Sequence, residues 1–192
     1  MNFYSQCKED VWLYNNGFLD HPGFYIDIGA ADPFINSNTV ILDQLNWKGL
    51  CVDPAIGGPN DLALRYDGRS CETVAKAVNT YNGYCQFNIA GEAGKITTSG
   101  KHTVECITLK RLVEDFGIEK IDLLSIDVEG MEYEILSDYW CHTFYLPKPK
   151  IIIAEYVTFG VQDMRLRNFL TKYCSYAEIC RTTFNIIYHR VK

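Results

Sequence analysis

Residues 24–39, FYIDIGAADPFINSNT, constrain the fold more than any other stretch. The apolar run Phe24-Tyr25-Ile26 ends in Asp27-Ile28-Gly29-Ala30, and a loop carrying Asp32, Pro33 and Asn36 follows. Ser37-Asn38-Thr39 then leads into Val40-Ile41-Leu42, with Leu45 at helical spacing. Strand, glycine-bearing loop and helix form the unit with which α/β proteins place a ligand at the carboxyl end of a sheet. Gly29 leaves the backbone open to close approach, and Ser37 is the expected N-cap, with free amides behind it suited to an anionic group. An ordinary βα connection gives the same pattern, so this stretch alone does not decide function.

Further along, the chain alternates. A helix is expected over 5–19, where Val11, Trp12 and Tyr14 interleave with polar residues, and His21-Pro22-Gly23 breaks it. Trp47-Lys48-Gly49 turns into a strand, Leu50-Cys51-Val52, ending at Asp53-Pro54, and a helix resumes around 61–66. Residues 71–78 form a third apolar segment. Two strand-like runs, 84–89 and 103–107, flank a Gly-, Thr- and Ser-rich stretch and read as an excursion over about 84–107. Thr108 caps a helix with Leu109, Leu112, Val113 and Phe116 on one face. Strands over 121–126 and 150–155, helices over 131–139 and 165–173, and a closing hairpin over 177–189 complete the pattern. Such alternation predicts a doubly wound α/β sheet, formed by residues 1–192 as a single domain.

Net charge of −6 disfavours a phosphate-backbone partner, so nucleic acid is not expected. None of the eight cysteines is paired as CxxC, and no Cys/His cluster has zinc-site spacing. They are expected to be reduced, mostly buried small hydrophobes. No apolar stretch is long enough to span a bilayer and the first residues lack a secretory pattern, so a cytoplasmic location is expected, unless Met1 begins a domain excised from something larger.

Carboxylates at predicted strand ends supply the chemistry. Asp53 is placed to accept hydrogen bonds from both hydroxyls of an adenosine ribose. The loop after Gly29 lacks the third glycine of GxGxxG and carries Pro33, which argues against a dinucleotide pyrophosphate. Asp127 and Glu129 project to one face if the strand stays extended, and Glu155 ends another strand. Together they could orient a base or hold a hard cation. His102, in the excursion, is a further candidate base, and Tyr156 with Phe159 a candidate acceptor platform. No GxSxG elbow or P-loop is present.

Three blocks, DIGAADPFINSNT, WKGLCVDP and IDLLSIDVEGMEYEIL, together resemble the FkbM-type family of S-adenosylmethionine-dependent methyltransferases, in its proline-bearing subset. Ser5-Gln6 with Asp10 resembles the segment that precedes the first strand in that family. The resemblance implies a class I methyltransferase fold, Rossmann-like, with a mostly parallel seven-stranded sheet and a C-terminal antiparallel hairpin. It implies that Gln6, Asp27, Gly29, Ala30, Ser37, Asn38 and Thr39 surround the methionine end of S-adenosylmethionine. Asp53 would hold the ribose, Ala77 at the end of the third strand would approach the adenine, and Asp127 would face the amino group and sulfonium. The expected reaction is O-methylation of a sugar or glycan, yielding S-adenosylhomocysteine. The base is sought among Asp127, Glu129, Glu155 and His102, and a magnesium-assisted variant would use Asp127 and Glu155. A domain of a larger glycan-modifying protein, a nucleotide-sugar or NAD-dependent enzyme and a non-catalytic methyltransferase-like module are the competing expectations.

Overall fold

The computed structural model describes residues 1–54, 65–90, 93–142 and 144–191. The helix expected around 61–66 falls largely outside these residues. A seven-stranded sheet forms the centre. Its first three strands are β1 (Phe24–Ile28), β2 (Lys48–Val52) and β3 (Glu72–Val74). A second sheet takes the next four: β4 (Ala77–Asn79), β5 (Gly83–Ala90), β6 (Ala93–Ile96) and β7 (His102–Thr108). The central sheet resumes with β8 (Leu123–Ile126) and β9 (Ile151–Glu155). After a small ribbon of β10 (Val157–Thr158) and β11 (Val161–Gln162), it closes with β12 (Tyr176–Arg181) and β13 (Asn185–Arg190). The central order is β12-β13-β9-β8-β1-β2-β3, and the second sheet runs β4-β7-β5-β6. Strands β3, β2, β1, β8 and β9 are parallel, and β13 lies antiparallel to both β9 and β12. This is the class I methyltransferase arrangement, an α/β fold with a C-terminal antiparallel pair.

Parallel strands covered on both faces need near-continuous apolar runs, and β1, β8 and β9 supply them apart from Asp27, Ser125 and Glu155. Ile26, Ile28, Leu124, Ile126, Ile152 and Ala154 face one core with Leu109, Leu112, Ile135 and Leu170. Tyr25, Leu123, Ile151 and Ile153 face the other with Leu13, Ile41 and Leu42. The helices of the first core are α3 (Leu109–Asp115), α4 (Glu132–His142) and α5 (Arg165–Tyr173). Those of the second are α1 (Glu9–Asn15) and α2 (Val40–Gln44).

Helix α1 is shorter than the 5–19 expected. Asp10 draws in the amides of Tyr4 (2.6 Å) and Ser5 (3.2 Å) and the Ser5 hydroxyl, which keeps the preceding residues out of the helix. Lys8 enters it in the left-handed region, and Gly17 leaves it there. The apolar segment 71–78 is also divided: Val74 ends β3 in the central sheet, and Ala77 starts β4 in the second. Thr108 caps α3 as expected, its hydroxyl accepting from the Arg111 amide at 3.1 Å. Ser37 does not cap α2; the N-cap is Thr39, which makes no side-chain cap bond. Its hydroxyl is committed elsewhere, to Asp27 at 2.6 Å. Of the eight cysteines, Cys51, Cys85 and Cys106 are buried, whereas Cys141 is exposed. No helix among the described residues is long and apolar enough to cross a membrane.

At Gly49 a side chain would have no room, since a Cβ there would lie 2.2 Å from the Tyr25 ring. Gly49→Ala therefore overpacks the β1–β2 contact and is expected to cost about 1–3 kcal/mol. Calorimetry should show the melting temperature lowered by about 2–4 °C for each kcal/mol.

Candidate active site

The strand order reverses between β1 and β8, and in open α/β sheets ligands bind at that switch point. Here the two carboxyl ends nearly touch. A Cβ on Gly29 would fall 1.7 Å from the Asp127 carbonyl oxygen, and Gly29 holds φ +75°, so glycine is required on both counts. The Gly29 amide bonds to the Val52 carbonyl (2.9 Å) and the Asp127 amide to that of Ile28 (3.0 Å). Above these ends opens a cavity of about 620 Å³, within the usual range for small-molecule sites.

Most of the expected residues converge on it. Gln6, Asp27, Gly29, Ala30, Ser37, Asn38, Asp53, Asp127 and Glu129 line the cavity. A narrow side pocket beyond Asp53 is lined by Ala77 and Val78. Both reach it from the start of β4 rather than from the end of the third strand. Asp53 accepts the Ala31 amide at 3.2 Å on one oxygen, and its other accepts no hydrogen bond from a described residue. Desolvation lifts its pKa to about 6 against the opposing pull of Ala31 and Arg65. Asp27 is buried. Desolvation raises its pKa as well, while Thr39, Arg69 and Ser125 counter the rise.

Other expectations are corrected. Thr39 is wholly buried behind Asp27 and does not line the cavity. The strand does not stay extended to Glu129. It ends at Ile126, and Glu129 adopts φ +59°, reaching the cavity from a turn. His102 lies on β7 opposite Phe87, exposed and away from the cavity lining. Tyr156 is a core residue whose hydroxyl donates to the Thr182 carbonyl at 3.3 Å, so of the expected aromatic platform only Phe159 is exposed.

The acids form a tighter group than spacing implied. Asp127 and Glu155 bring carboxylate oxygens within 4.8 Å of each other. Desolvation, then charge repulsion among Asp127, Glu155, Glu132 and Glu129, raises Asp127 to about 7 and Glu155 to about 9. Glu155 also accepts the Thr158 hydroxyl at 2.8 Å. At neutral pH the pair thus retains a proton. Glu132, an unforeseen member, accepts the Val128 amide (2.8 Å) at the start of α4. Asp127, Glu132 and Glu155 each bring an oxygen within 4.8 Å of the others, a set with the donor chemistry for a hard cation.

Further cavity residues escaped the sequence reading: Arg65, Phe87, Gly94, Ser125 and Asn185. Phe87 projects from the second sheet with its ring against Gly94, where a Cβ would come within 2.6 Å. Asn185 is fixed by Glu9, which accepts its amide at 2.9 Å and the Thr182 hydroxyl at 2.8 Å. These contacts join residues far apart in the chain. The one local hint was an apolar Phe87 among polar neighbours, which alternation alone assigns to either face of a strand.

Comparison with known proteins agrees with this geometry. A search of curated proteins found no match. Among solved structures, one described as a putative precorrin-6Y C5,15-methyltransferase targeted domain from Corynebacterium diphtheriae is 11% identical. The alignment covers 96% of this chain and 97% of that one with a TM-score of 0.42, too loose a likeness to bear on function. The model of the methyltransferase FkbM domain matches residues 27–177, which include Asp27, Gly29, Asp53, Asp127 and Glu155. The chain belongs to the FkbM methyltransferase family.

Proposed function

We propose that this protein transfers the methyl group of S-adenosylmethionine to a hydroxyl of a sugar or glycan. The observation that carries the reading is the close grouping of Asp127 and Glu155 oxygens beside a cavity lined by Asp53, one oxygen of which accepts no hydrogen bond from a described residue. The cavity fits the cofactor in kind. It offers an open backbone at Gly29, a carboxylate for the ribose hydroxyls at Asp53, and apolar walls for the adenine at Ala77, Val78 and Phe87. In this reading Gln6, Asp27, Ala30, Ser37 and Asn38 surround the methionine portion, and Thr39 acts through Asp27.

The sulfonium supplies an electrophilic methyl, whose bond to sulfur breaks with its electron pair going to sulfur as the bond to oxygen forms. The protein's part is to align the acceptor oxygen and remove its proton. Asp127 opens to the cavity, yet desolvation and the neighbouring acids raise it to about 7, so it is a stronger base than an ordinary carboxylate and still largely ionised at pH 8. The proton that the pair retains keeps a second negative charge out of the site. Glu129, in its strained turn, is the alternative base. Activation of the hydroxyl by a divalent cation on Asp127, Glu132 and Glu155 is the second reading, favoured by their 4.8 Å grouping. Unchanged turnover in a chelator removes it.

Calorimetric titration with S-adenosylhomocysteine tests the cofactor assignment. Asp53→Ala should weaken binding by at least about tenfold, as expected for losing charged hydrogen bonds to two hydroxyls. Equal affinities would refute the ribose role. A mass-spectrometric screen of mono- and oligosaccharides should show methylated product, and transfer confined to non-sugar acceptors would redirect the substrate class.

Stability against pH tests the acid pair. Carboxylates whose folded pKa is raised bind protons that the unfolded chain releases near pH 4. Their contribution is complete below that pH and is lost as pH rises through about 7 for Asp127 and 9 for Glu155. With chelator present, the wild-type melting temperature should fall from pH 5 to 9 more steeply than that of Glu155→Gln. Parallel profiles would show that the pair does not share a proton.

A further inference from the structure

The turn after Gly29 is strained and held from outside. Ala31 sits at φ +42°, a conformation that a residue with a Cβ adopts at a cost. Asp32 closes the turn by accepting the amides of Phe34 (2.9 Å) and Ile35 (2.8 Å). Those local bonds leave the carbonyls of Ala30, Ala31 and Pro33 to find other donors. All three are met from one short stretch, residues 65–69. The Tyr66 hydroxyl donates to Ala30 at 2.7 Å, Arg65 to Ala31 at 2.9 Å, and Arg69 to Pro33 at 2.6 Å.

Arg69 extends this hold to the rest of the cradle. Its side chain is 1% exposed and ion-pairs with Asp43 on α2. It also donates to the Thr39 hydroxyl (3.0 Å) and to the Tyr25 hydroxyl on β1 (3.2 Å). The Thr39 hydroxyl in turn donates a hydrogen bond to Asp27 at 2.6 Å, so one guanidinium is linked to the turn, the helix start and the buried cavity carboxylate. Its plane also lies over the Tyr66 ring, 5.5 Å from the centroid. The held turn in turn presents the Ala31 amide to Asp53.

We propose that Arg65, Tyr66 and Arg69 are positioning residues, a clamp that sets the 30–33 turn in its strained, cavity-forming shape before the cofactor arrives. The clamp acts through Asp27 and Asp53 and rests on the reading of the cavity as a cofactor site. Its chemistry suits the task. Carbonyls held by fixed donors keep the turn in place with its Ala31 amide on Asp53, and preorganisation lowers the ordering cost of binding. Ala31 need not be glycine, because the clamp offsets its strain.

The test compares wild type, Tyr66→Phe and Arg69→Lys by amide hydrogen exchange of residues 30–36 without ligand, by melting temperature, and by S-adenosylhomocysteine affinity. Tyr66→Phe removes one hydroxyl without changing shape. It should speed exchange within the turn, leave the β1 and β8 amides at wild-type rates, and weaken binding about fivefold, the ratio of one lost hydrogen bond. Arg69→Lys keeps the charge but lacks the fork needed to reach Asp43, Pro33 and Thr39 together, and should weaken binding by more than Tyr66→Phe. Added S-adenosylhomocysteine should return exchange in the turn towards wild type. Exchange that rises across the whole sheet in both variants would overturn the proposal in favour of a merely structural role. A loosened turn with unchanged affinity would overturn it too. Wild type that does not bind S-adenosylhomocysteine while the turn alone loosens in Tyr66→Phe would remove the cofactor reading, and with it the positioning role.

Discussion

Everything in the site follows from how closely the carboxyl ends of β1 and β8 approach. The Asp127 carbonyl occupies the space that a side chain at residue 29 would need. Two strand ends that share a boundary so tightly must release their chains in opposite directions, one towards α2 and one towards α4. The cleft between those departures is the cavity. Asp27 and Asp127 are brought to the same strand ends, and the buried charge of Asp27 raises the proton affinity of Asp127. The acid chemistry of this methyltransferase is thus a by-product of strand packing that the reaction can use.

What the sequence allowed one to read follows the range of the forces involved. The Phe24–Thr39 strand, loop and helix, and Asp53 just after β2, are short-range features, written in neighbouring residues, and they appear in the structure where the pattern put them. Capping of α2 was misread because the Ser37 oxygen accepts the Thr39 amide instead of a helix amide, and the Thr39 oxygen at the cap accepts from Arg69. The extended path to Glu129 failed for a similar reason. Glu132 takes the Val128 amide, turning the chain early and forcing Glu129 into the left-handed region. Neither competition is visible until the elements pack.

Long-range partners were beyond reach for a different reason. Arg65 and Tyr66 read as ordinary members of a helical segment, and nothing local says which carbonyls they seek. Phe87 reads as one apolar residue in an alternating strand, yet the second sheet carries it to the side pocket that Ala77 and Val78 approach from β4. The side pocket next to Asp53 is consequently lined by residues from two sheets, whereas the acid pair comes from the central sheet alone.

The placement of β13 has a consequence for synthesis on the ribosome. That strand lies between β9 and β12, so the sheet has no complete edge-to-centre order until residues 185–190 have emerged. Asn185 at its start lines the cavity and is held by Glu9, made 176 residues earlier. A nascent chain can assemble β1, β2, β3 and β8 and still lack one wall of the site, with Glu9 desolvating without its partner. Contacts of such separation form late. Without β13 the cavity would lack the wall that Asn185 supplies.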